Sequence, residues 1–106
     1  MTETAQRSLA DVVGSMMPRL KSDVARLVGI PSVSAPNYPE STRPALLEAH
    51  DAVVELLRDA GVQDLHDLEL PDTAPVVVGG IPAPDGAPTV LLYSHYDVVP
   101  VGEESK

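Results

Sequence analysis

The sequence predicts an α/β fold, with helices packed on one portion of a mixed sheet. Three observations carry this. Residues 5–28 and 43–60 place apolar side chains at spacings of three and four, the period of an amphipathic helix. Residues 65–70, 76–81 and 89–94 are shorter runs of strand length, rich in Val and Leu. The helical stretches come first and the strands follow, two or three helices and then three strands.

In the first stretch the stripe is Leu9, Val12, Val13, Met16, Met17, Leu20, Val24, Leu27 and Val28. Pro18 lies inside it, removing one backbone donor and crowding the preceding turn. This implies either a kink near Met16 or two helices, with Pro18 in the first turn of the second. The two Met residues read as core filler. Gly29 and Pro31 end the stretch, and Pro31, Pro36, Asn37 and Pro39 make 29–43 a loop.

The second stretch carries Leu46, Leu47, His50, Val53, Val54 and Leu57 on one stripe. Ser41 or Thr42 is expected to cap it, Glu48 suits its early turns, and Gly61 stops it. His50 lies on the apolar stripe and reads as a packed, hydrogen-bonded residue.

The first strand, 65–70, puts His66, Leu68 and Leu70 on one face. His66 has Asp64, Asp67 and Glu69 as chain neighbours, but His66 and Asp67 point to opposite faces of a strand. A solvated acidic edge is expected there. The runs at 76–81 and 89–94 are continuously apolar, as in strands covered on both faces. Between them 82–88 has turn chemistry with Asp85-Gly86, so these two runs are expected to form a hairpin.

Composition narrows the function. Seven Lys+Arg against 16 Asp+Glu give a net charge of −9 in 106 residues. Nucleic acid and anionic membranes need a cationic face, so neither is expected as a partner. No stretch approaches the roughly 20 apolar residues of a membrane span. The first residues, MTETAQRSLADVV, lack the pattern of a secretory signal, and a cytoplasmic location is expected. With no Cys, a transition metal here would be held by His and carboxylates. With no Phe or Trp, the core falls to Val, Leu, Ile, Ala and Met.

The third run reads LLYSHYDVVPVG and passes from Leu91 and Leu92 into His95 and Asp97. Alternation puts His95 and Asp97 on one side, at the carboxyl end of the expected strand, where open α/β sheets place their sites. A neutral imidazole is a good zinc ligand, and a nearby carboxylate can fix its tautomer. His95 is the candidate metal ligand and Asp97 the candidate catalytic carboxylate beside it. One His and one Asp do not complete a zinc site, which takes about four ligands.

The segment YSHYDVVP resembles the metal-binding signature of the cocatalytic zinc metallopeptidase family. That family includes aminoacylase, acetylornithine deacetylase, succinyl-diaminopimelate desuccinylase, carboxypeptidase G and the carnosinase-type dipeptidases. LVGIPSVS, residues 27–34, resembles the end of its first helix and the loop that follows. The element order between the two also matches, so the resemblance runs from about residue 19 to 104. The Asp-Val-Val-Pro ending and the Pro-rich hairpin look closest to the dipeptidase branch.

The resemblance implies two divalent metals, usually zinc, sharing a water that attacks a peptide or amide carbonyl. By position, His95 would ligate one metal and Asp97 would orient that imidazole. Ser94 stands where glycine is commoner. The family's bridging Asp, its glutamate base and its other ligands come later along the chain. Glu103 and Glu104 lie too close to Asp97 for the base role and read as a solvated loop.

Residues 1–106 are therefore expected to be the N-terminal part of a catalytic domain, without the smaller lid or dimerisation domain and inactive in isolation. Small peptides are the expected substrates of the full-length relative, with a homodimer among its expected states. An N-acyl amino-acid deacylase of the same family is the alternative, as is a non-catalytic truncated module acting by association. The apolar runs at 76–81 and 89–94 have only two helices to cover them, which points to a marginal or aggregation-prone fragment.

Overall fold

Helix α1, Leu9–Val28, runs through Pro18 as one element in the computed structural model, which describes residues 7–100. Pro18 costs the single bond that its N–H would have made to the carbonyl of Gly14. One helix forms here, not two. Ser8 caps it, its side chain accepting from the Asp11 N–H at 3.1 Å. No α1 residue is buried. Leu9, Val13, Met16, Leu20, Val24 and Val28 instead form an exposed apolar stripe. Two ion pairs tie α1 to the second helix, Arg19–Asp59 at 3.3 Å and Arg26–Glu55 at 3.0 Å.

Helix α2 is Arg43–Asp59. The expected side-chain cap is absent: the Thr42 hydroxyl donates backward to the carbonyl of Pro39 at 3.2 Å. Pro44 in the first turn removes one of the donors a cap would serve. At the other end Gly61, with φ +94°, takes the left-handed position. Its N–H reaches the Arg58 carbonyl and that of Val62 reaches Leu57, both at 3.0 Å, which closes the helix in a Schellman turn.

Strands β1, Gln63–Leu68, and β2, Val76–Gly80, form an antiparallel pair with His66 opposite Val78 and Leu68 opposite Val76. An irregularity between Gln63 and His66 coincides with Asp64 at φ +54°. Gly79 is required by close approach. A Cβ there would stand 2.5 Å from Val62 Cγ1 and 2.9 Å from Leu65 Cδ2.

The α/β class holds, as two helices followed by a small helix-backed sheet. The pairing within it differs from the sequence reading. The hairpin joins β1 to β2, and 89–94 is not a strand. Val90, Leu91, Leu92 and Tyr93 are 75–88 % exposed. A strand exists only where a neighbour accepts its backbone bonds, and among the described residues this run has none. Downstream, Val98 makes an isolated parallel bridge to Val33.

The core is small and sits on α2. Ile30, Ala49 and Ala52 are buried together, with Leu27, Ala45 and Tyr96 packed on them. The alanines let the loop backbone approach α2 closely. The radius of gyration is 17.6 Å. A compact chain of this length would have about 13 Å, so much apolar surface stays uncovered.

Candidate metal and hydrolase site

The local fold that presents His95 and Asp97 is built by the loop after α1. Val98 donates to the Ser32 carbonyl and Ser34 donates to that of Val98, both at 2.9 Å. Ser32, 1 % exposed, donates its hydroxyl to the Tyr96 carbonyl at 3.2 Å. Residues 96–98 are thus fastened to residues 32–34 by backbone and side chain together.

His95 and Asp97 come together. His95 Nδ1 lies 2.9 Å from the Asp97 carbonyl oxygen and 3.0 Å from Asp97 Oδ1. Both partners only accept, so Nδ1 carries the proton. The neutral ring then keeps its lone pair on Nε2, which no described residue engages. The side chains are 69 % and 37 % exposed, so the ring is reachable from solvent. The pair borders an open hollow of about 670 Å³, lined also by Tyr38, Leu46, Asp72 and Tyr93.

This donor set fits one position of a divalent metal: an imidazole with its second nitrogen held by a carboxylate. It does not complete a site. Among the described residues no three His, Asp or Glu side chains converge as ligands. Glu103 and Glu104 lie outside the described residues.

The other two histidines are held differently, His50 through both ring nitrogens and His66 through Nδ1 alone. His66 Nδ1 donates to the Asp64 carbonyl at 2.8 Å. His50 is packed, with its side chain 12 % exposed and its ring nitrogens 2.9 Å from Asp51 Oδ1 and 2.7 Å from Asp67 Oδ1. Asp67 therefore belongs to the contact between α2 and β1 and not only to a solvated edge. Burial works against a charge on His50, but the hydrogen bonds and charges of Asp67 and Asp51 outweigh it and hold the pKa above the ordinary histidine value.

Tyr96 is the residue the sequence reading missed. Its hydroxyl donates to the Pro75 carbonyl at 2.5 Å, and its ring meets His50 edge-on at 6.2 Å between centroids. Burial, with smaller contributions from Tyr38, Asp67 and Asp97, pushes its pKa up to about 12. Its place between His95 and Asp97 in the sequence was the available signal.

Neither a family model nor a solved structure matches the chain. The sequence does show a relation to metallopeptidases, at a coarse level. It is 30 % identical over 106 aligned positions to a Cys-Gly metallodipeptidase of Candida albicans, an alignment covering 87 % of this chain. The chain spans about a fifth, 21 %, of that relative's length.

Proposed function

We propose that this chain is the N-terminal part of a zinc-dependent dipeptidase, in which His95 Nε2 ligates one metal and Asp97 orients the imidazole. The observation that carries the reading is the contact of His95 Nδ1 with two acceptor oxygens of Asp97, in a chain related to a metallodipeptidase. When bound, the metal would supply a Lewis acid and an activated water for cleavage of an amide bond.

The chain's own residues do the holding. Asp97 keeps the ring in one tautomer and one orientation. Ser32 and Val98 hold the backbone on either side of Asp97. The hollow beside the pair has room for a small peptide, with Tyr38 and Asp72 as polar groups on its wall. The remaining ligands and the general base would come from sequence beyond these residues, consistent with the fraction of the relative that the chain spans.

The test is hydrolysis of unmodified dipeptides, against N-acyl amino acids, by the full-length protein that carries this chain. Activity is expected on dipeptides, lost to a chelator and restored by Zn²⁺. His95→Ala should abolish it, and Asp97→Asn should lower it about 10–100-fold. Dipeptide hydrolysis that survives His95→Ala would overturn the reading.

A further inference from the structure

We propose that Tyr96 is a positioning residue for the His95–Asp97 pair, and that the His50 ring, held between Asp51 and Asp67, sets the Tyr96 ring. The catalytic consequence rests on the reading of His95 as a metal ligand; the positioning is measurable without metal.

The segment changes character at Tyr96. Before it, Val90 to Tyr93 are exposed and unpaired. At Tyr96 four contacts begin together. The ring packs on Ile30, Ala49 and Ala52, the hydroxyl reaches Pro75, the carbonyl takes the Ser32 hydroxyl, and the ring edge meets His50. His95 and Asp97 flank Tyr96 in the chain, so the anchored Tyr96 fixes the backbone from which both side chains emerge.

His50 is itself held from two elements. Asp51 of α2 and Asp67 of β1 each place a carboxylate oxygen on a different ring nitrogen. Carboxylates only accept, so the protonated ring donates to both, and either form is held between them. Three groups face it: Asp51 from its own helix, Asp67 from the sheet and Tyr96 from the segment that carries the site. The ring is held between the two acids, and its face toward Tyr96 is fixed with it.

The experiment is ring ¹⁵N–¹H correlation spectroscopy on the labelled full-length protein that carries this chain, at mildly alkaline pH, together with amide exchange at Asp97 and Val98. In the wild type His95 should show one tautomer, protonated at Nδ1. Tyr96→Ala should return His95 to the mixture shown by free histidine and speed exchange at Asp97 and Val98 about tenfold or more. Tyr96→Phe keeps the packing and loses the Pro75 bond, so it should retain most of the wild-type signature. His50→Gln should fall between the two, with His66 unchanged throughout.

If Tyr96→Ala does not fold, Tyr96→Phe and His50→Gln decide. A His95 tautomer and amide exchange identical to wild type in both would overturn the proposal. Zn²⁺ added to the same samples separates the two ideas. A tautomer that follows Tyr96 while Zn²⁺ leaves His95 unmoved would keep the positioning role and remove the metal role.

Discussion

Residues 30–34 and 95–98 lock together over Ala49 and Ala52 of α2, whereas the apolar stripe of α1 and the run 89–94 face solvent. Both regions are rich in apolar residues. The difference lies in what meets them. The first closes because a loop, a helix and a returning segment supply one another with backbone donors, acceptors and small side chains. The second has the right pattern and no neighbour among the described residues. Amphipathic patterning states what a segment needs, and only topology supplies it.

Substitutions can break this contrast from either side. The largest effect is expected in the closed region. Ala49, 1 % exposed, has no room for a larger side chain, and Ala49→Leu should destabilise the fold by about 1–3 kcal/mol in denaturant unfolding. Ser32→Ala should cost about 1 kcal/mol, because the Tyr96 carbonyl loses its buried donor. In Ser32→Ala, amide exchange should quicken at Val98 before it does in the middle of α2.

The His50 contact sharpens the comparison through pH. Its folded pKa lies above the unfolded value of about 6.5, so its stabilisation is full below that pH. The contribution fades as pH rises through the higher, folded value. His50→Gln should flatten this slope of stability against pH, measured by unfolding between mildly acidic and mildly alkaline buffers. The smallest effect belongs to the open region. Leu91→Ser removes a side chain that is 88 % exposed and should change stability by less than about 0.5 kcal/mol. A larger loss would mean that the run is covered in solution.

Both helices were legible in the sequence because their periodicity and their stops are local. Gly61 ends α2 by a conformation that glycine adopts readily. The strands were legible as runs but not as partners. Val76–Gly80 pairs with Gln63–Leu68, though an Asp-Gly turn pointed it toward 89–94. Pairing is a long-range choice that turn chemistry only biases. The His95–Asp97 juxtaposition was legible because a two-residue spacing fixes it. Tyr96 and Ser32 were not weighed, since their partners Pro75 and His50, and Tyr96 itself for Ser32, lie far away in sequence.

The most direct test compares the three histidines as metal ligands in the full-length protein, by Zn²⁺ affinity and stoichiometry for His50→Ala, His66→Ala and His95→Ala. His50 has both ring nitrogens on carboxylates, and His66 is held through Nδ1 by a backbone carbonyl alone, whereas His95 has a carboxylate on Nδ1 behind a free Nε2. His95→Ala alone should weaken Zn²⁺ binding, by more than the roughly 10–100-fold typical of losing an orienting partner. Unchanged Zn²⁺ binding in His95→Ala, or an equal loss in His66→Ala, would contradict it.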